Sequence, residues 1–122
     1  MTDRSSSIVE IGCGSGYLAS LLKKLGVDII CCDNSEDENI GMFLEGFGTS
    51  FTTEDGRELL KRLEGCPERA LLLSWGHFEN TKVLTKILDM FKGPLLFIIG
   101  ERSDGCTFNI DRYVSVGGWN RC

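Results

Sequence analysis

The chain has 122 residues, with 13 lysines and arginines against 18 aspartates and glutamates and a formal net charge of −5. That length supplies one buried core but not two, and the acidic balance argues against broad electrostatic binding to DNA or RNA. Glycine is frequent, at 15 residues, which suits an alternating α/β chain with many tight connections.

The first element is the most informative. The run Val9-Glu10-Ile11-Gly12-Cys13-Gly14-Ser15-Gly16-Tyr17 reads as a buried strand, a tight glycine turn and a helix start. Glycine lets the backbone approach a ligand with no Cβ in the way, and a helix start presents unpaired N–H groups. Leu18, Leu21, Leu22 and Leu25 recur at helical spacing, and Gly26 is placed to end that helix. Val27-Asp28-Ile29-Ile30-Cys31-Cys32 reads as the second buried strand and stops at Asp33. An acid there accepts hydrogen bonds from ribose hydroxyls in nucleotide-binding folds.

Ser35 with Glu38 has the form of a capping box and predicts a second helix carrying Ile40, Met42, Phe43 and Leu44. Residues 50–53 read as a short third strand. Asp55 is placed to cap a helix with Glu58 at the fourth position, Leu59, Leu60 and Leu63 as its apolar face, and Gly65-Cys66-Pro67 as its stop. Ala70-Leu71-Leu72-Leu73-Ser74 is a central strand. A helix follows from Asn80, with Val83, Leu84, Ile87, Leu88 and Phe91 on one face. Leu95-Leu96-Phe97-Ile98-Ile99 is a fifth strand, apolar enough to be buried on both faces. Residues 112–116 form the last candidate strand.

The glycine loop separates two cofactor classes. A dinucleotide fingerprint, G-x-G-x-x-G, needs its third glycine where this chain has Tyr17. The pattern acid-x-G-x-G-x-G at Glu10, Gly12, Gly14 and Gly16 instead resembles the first motif of class I S-adenosylmethionine-dependent methyltransferases. That resemblance implies an α/β, Rossmann-like three-layer sandwich. Its mostly parallel sheet has the order 3-2-1-4-5; a complete member adds a further helix and an antiparallel pair of strands, of which this chain offers one short candidate strand. It also implies S-adenosylmethionine as the cofactor. Glu10, Gly12, Cys13, Gly14, Ser15, Gly16 and Tyr17 would lie along its amino-acid end, Asp33 and Asn34 at the ribose, and Asp55 and Gly56 at the adenine. Asp33 lies 21 positions after Gly12, a spacing that suits a dinucleotide equally well.

Ligands of open α/β sheets sit beyond the carboxyl ends of the strands, so Ser74-Trp75-Gly76-His77 should face the same crevice. The family's amine-binding Asp/Asn-Pro-Pro-aromatic motif is missing. Leu72-Leu73-Ser74-Trp75, Ile99-Gly100-Glu101 and Gly105-Cys106-Thr107 resemble a group of methyltransferase-like proteins of unknown substrate, and Gly76-His77 departs from their Pro-Pro. His77, the sole histidine, is a candidate general base. Trp75 is a candidate stacking surface. The competing readings are a surface-loop histidine and an aromatic covering the sheet edge.

The expectation is a single domain over residues 1–122, with its core in 7–100 and a C-terminal extension in 101–122. It is a methyltransferase of unknown acceptor or, alternatively, a non-catalytic binding or assembly subunit of the same fold. A nicotinamide-dependent enzyme and a fragment of a longer enzyme are further alternatives. The six cysteines include no C-x-x-C pair, which predicts free thiols in a reducing cytoplasm and no metal site. No apolar run approaches the ~20 residues of a membrane span, and the polar opening residues do not resemble a signal peptide. The strand-five side should associate with a second copy or a partner protein, burying Leu96, Ile98 and Val114.

Overall fold

The computed structural model describes residues 7–74 and 81–100. The readings placed on Trp75, His77 and Asn80, on residues 101–122 and on Val114 therefore lie outside the described residues. Strands β1 (Ser7–Ile11), β2 (Asp28–Cys32), β3 (Phe51–Thr52), β4 (Ala70–Ser74) and β5 (Leu96–Ile99) alternate with helices α1 (Tyr17–Lys24), α2 (Gly56–Arg62) and α3 (Thr81–Met90). The strands form one parallel sheet in the order β3-β2-β1-β4-β5, as expected.

Alternation along the strands sorts side chains onto two faces. On one face Val9, Ile11, Leu71 and Leu73 meet Leu59 and Leu60 of α2 and Leu84, Ile87 and Leu88 of α3 in a continuous buried cluster. On the other, Ile29 and Cys31 pack with Ala19 of α1 and with Leu44 and Phe47. Helices thus lie on both sides of the sheet, giving three layers. Among the described residues no helix is long and apolar enough to cross a membrane.

Local chemistry explains the helix ends. The amides of Gly26 and Val27 return to the carbonyls of Lys23 and Leu22, and Gly26 has φ 91°. This is a glycine-dependent C-cap with two basic residues in the last turn, where the helix dipole favours them. Asp55 caps α2 by accepting from the Arg57 amide at 2.8 Å. Arg69, in the turn before β4, donates to the carbonyls of Ile8 and Asp28 at 3.1 and 3.0 Å and so ties β1 to β2 at their amino ends.

Two expectations fail. The helix predicted from Ser35 through Leu44 does not form. Asp33 accepts from the Ser35 amide, Ser35 from the Asp37 amide and Asp37 from the Asn39 amide. These short-range bonds give the backbone an alternative to the helix, and Gly41, Gly46 and Gly48 all have positive φ. The segment crosses as turns, followed by a 3-10 turn at Gly48–Ser50. Strand β5 is also not buried on both faces. Leu96 and Ile98 pack against the α2–α3 cluster, whereas Phe97 and Ile99 are exposed. Leu96 and Ile98 are therefore half-buried against the core, and Phe97 and Ile99 form the open surface.

Candidate functional site

The carboxyl ends of β1, β2 and β4 converge because the order 2-1-4 places β1 between the other two. The glycine loop leaving β1 bends over the end of β2, with the amides of Gly12 and Cys13 both donating to the Cys32 carbonyl at 2.9 and 3.1 Å. The Gly14 amide then donates to Asp33 Oδ2 at 2.9 Å. Asp33 accepts at both oxygens, since Oδ1 takes the Ser35 amide at 2.7 Å. Each carboxylate oxygen has two acceptor sites, so a ligand hydroxyl can still be accepted there.

The glycines differ in role. A Cβ on Gly14, whose φ is +58°, would meet no atom within 4 Å, leaving open space above the loop. A Cβ on Gly16 would lie 2.2 Å from Leu44 Cγ, so its bare backbone admits the crossing segment. That segment is fixed to the loop by the amides of Gly41 and Phe43, which donate to the carbonyls of Gly14 and Ser15, each at 2.9 Å. Phe43 also meets Tyr17 edge-on at 5.3 Å. These contacts were missed at the level of sequence. The asparagine, aspartate and glycine content of 33–48 was the available signal for turns.

Glu10 is the unusual member of the site. It is 1% exposed, and Ser74 Oγ at the end of β4 donates to its Oε2 at 2.5 Å. Its Oε1 has no partner among the described residues. Burial pushes the carboxyl above its ordinary range, the Ser74 bond opposes this, and the nearby Asp33 charge adds to the rise. Cys13 is half-buried beside Cys31, and that contact together with burial pushes its thiol far up. Burial and the Glu54 charge push Cys32 up to about 12. All of these are unreactive neutral thiols at neutral pH, and the four described cysteines (Cys13, Cys31, Cys32 and Cys66) are unbridged.

The structure thus gathers Glu10, the loop 12–17, Asp33 and Ser74 in one place. Asn34 and Asp55 lie at its β3 side, with Asn34 Nδ2 donating to Asp55 Oδ2 at 3.4 Å. Arg57 pairs with Asp55 at 2.7 Å and holds that carboxyl below its ordinary range. Gly56 packs closely on β1: a Cβ there would lie 2.3 Å from Ile11 Cγ2. A separate cavity of about 400 Å³ is lined from β2, β3, α2 and the turn before β4, by Ile30, Thr52, Arg62, Cys66 and Arg69 among others. It contains no loop residue, and its two guanidiniums are already paired with Glu54 and Asp28, so the convergent cluster is the better site.

No protein-family model matches this chain, and no curated protein does. A solved structure is similar to it, the crystal structure of a SAM-dependent methyltransferase from Archaeoglobus fulgidus. The likeness has a TM-score of 0.58 and 25% sequence identity, and it covers 77% of this chain and 43% of that one. This chain thus spans less than half of that enzyme. The five-stranded core has a methyltransferase-like fold.

Proposed function

We propose that the chain binds S-adenosylmethionine over the glycine loop and supplies the cofactor site of a methyltransferase acting on an acceptor not yet known. The observation that carries this reading is the convergence of three features at the carboxyl ends of β1, β2 and β4. They are open space above Gly14, the Asp33 carboxylate next to it, and a buried Glu10 with an unpartnered oxygen behind Ser74. A neutral apolar ligand would leave that oxygen uncompensated, whereas a cationic one suits it. The likeness to the archaeal methyltransferase supports the same reading. In this arrangement Asp33 and Asn34 hold the ribose, Asp55 reaches the adenine side, and the loop 12–17 follows the amino-acid part. The cofactor, when bound, supplies the transferable methyl group. Titration calorimetry with S-adenosylmethionine, S-adenosylhomocysteine and NAD in parallel tests this, with binding of the first two and not the third expected.

A second reading keeps the fold and gives up catalysis: a binding or assembly subunit that docks through the strand-five side. The exposed Phe97 and Ile99 favour it, since contiguous exposed apolar surface marks interaction sites. Failure of every nucleotide ligand to bind, with association through Phe97, would select this second reading.

A further inference from the structure

The cavity of about 400 Å³ beside β2 and β3 lies apart from the convergent cluster, and its volume falls within the range of small-molecule sites. Its wall is divided by chemistry. Ile30, Leu59, Leu63 and Pro67 supply apolar surface, and Arg62, Arg69 and Ser50 supply hydrogen-bond donors. Both guanidiniums are paired and still have N–H groups to offer. Arg62 donates to Glu54 through Nη2 alone, and Arg69 donates to Ile8 and Asp28 through its Nη atoms. Among the described residues the Nε of each has no acceptor, and each pair has one exposed member. Exposed pairs contribute little and yield readily to a new partner.

Both guanidiniums act on Cys66, which is buried and lines the same cavity. Burial raises its thiol above the ordinary value, and the charges that act on it, Arg69 and Arg62, both oppose that rise. The field at this wall is therefore positive, although Glu54 and Asp28 balance part of it. The backbone here is strained as well. Glu64, Gly65 and Cys66 follow one another at φ 54°, 83° and 50°. Gly65 alone suffices to end α2, since its amide returns to the Leu60 carbonyl at 2.7 Å. Residues with a Cβ enter the left-handed region at a cost, and such strain persists where it positions a group for a task. Here it brings Cys66 to the cavity wall.

We propose that this cavity is a second ligand site, for a small organic acid with one carboxylate on an apolar body. The carboxylate meets the unused donors of Arg62 and Arg69, whose planar forks match it, and the body lies on Ile30, Leu59 and Leu63. A single negative charge fits a wall whose positive charge is half balanced, and a phosphate dianion fits it less well. The site stands independently of the cofactor reading, because no residue of the glycine loop lines it.

An amide-detected NMR titration of the full chain tests this, with phenylacetate, its neutral isostere phenylacetamide, and phenyl phosphate. Phenylacetate should shift the amides of Cys66, Arg69 and Thr52 saturably, and phenylacetamide should bind about tenfold more weakly. Phenyl phosphate should also bind more weakly than phenylacetate. Arg62→Gln should weaken the acid and leave the amide unchanged; if that variant fails to fold, the acid–amide comparison on the wild type decides. Saturating S-adenosylmethionine should leave the phenylacetate shifts in place. Equal binding of acid and amide, preference for the phosphate, or an acid indifferent to Arg62→Gln overturns the proposal. So does the absence of saturable shifts, their appearance at Gly14 and Asp33 or at Phe97 and Ile99 instead, or displacement by S-adenosylmethionine. None of these results bears on whether that cofactor binds over the glycine loop.

Discussion

On the face covered by α2 and α3, the central strands present Val9, Ile11, Leu71 and Leu73 and two helices close over them, leaving Leu71, Leu73 and Leu84 fully buried. The opposite face is covered by α1 and by turns. It holds a buried carboxyl and the Cys13–Cys31 pair, and at β5 it leaves Phe97 and Ile99 open. One face carries the stability of the molecule, and the other gives up packing for polar groups and open surface. Buried polar groups without partners mark functional sites because selection for stability alone would remove them. The contrast fits the cofactor site proposed for the α1 side and makes quantitative demands of each face.

The largest effect should come from the sealed face. Leu73→Ala removes fully buried methyl groups from the cluster and should cost about 2–5 kcal/mol in denaturant unfolding. A cost below the cost of a typical surface substitution would show that this face is not the one holding the fold. Gly56→Ala tests the same face by crowding, since the added Cβ would press on Ile11. A loss of about 1–3 kcal/mol is expected, with ligand binding retained in the folded fraction.

Across the sheet the sign changes. Because its folded carboxyl titrates above the ordinary value, Glu10 binds more protons folded than unfolded between the two values. Stability from this group is therefore present at low pH and falls as pH rises through that window. Glu10→Gln should flatten this fall and leave the protein relatively more stable than wild type at neutral pH, as thermal melts at several pH values would show. Glu54 and Asp55 run the other way, held low by Arg62 and Arg57, and their contribution is lost as pH falls below the ordinary carboxylate range. Both pairs are largely exposed, so salt should erase much of it.

The smallest stability change should come from Phe97→Lys, within about 1 kcal/mol for a residue that is 46% exposed. Its effect should appear in association. Light scattering should find the wild type self-associating at high concentration and the variant monomeric. A wild type that stays monomeric would mean that the open patch serves another partner or none.

The two faces were not equally legible in the sequence. Strand and helix positions could be read for β1, β2, β4 and all three helices because each carries a recognisable apolar run or period. Gly26 and Asp55 do in the structure what their residue types suggest. The crossing segment was misread because Ser35 and Glu38 satisfy a local capping pattern, whereas Asp33, Ser35 and Asp37 in fact bond to nearer amides. Strand β5 was misread for a different reason. An apolar run shows that a strand can be buried, but not whether anything covers it. The Glu10–Ser74 bond joins residues on strands paired in register across the sheet, so no local pattern could contain it, although both residues could be named one at a time. Asp33 was legible as a site residue, but its second role in holding the Gly14 amide appears only in three dimensions.

The central claim is that the α1-side crevice binds S-adenosylmethionine with Asp33 at its polar floor, and calorimetry on wild type and Asp33→Ala tests it most directly. The account predicts saturable binding by the wild type and a loss of about 1–3 kcal/mol in the variant, as ribose hydroxyls and the Gly14 amide lose their acceptor. Undetectable binding by the wild type at millimolar ligand, or equal affinity in the variant, would contradict it.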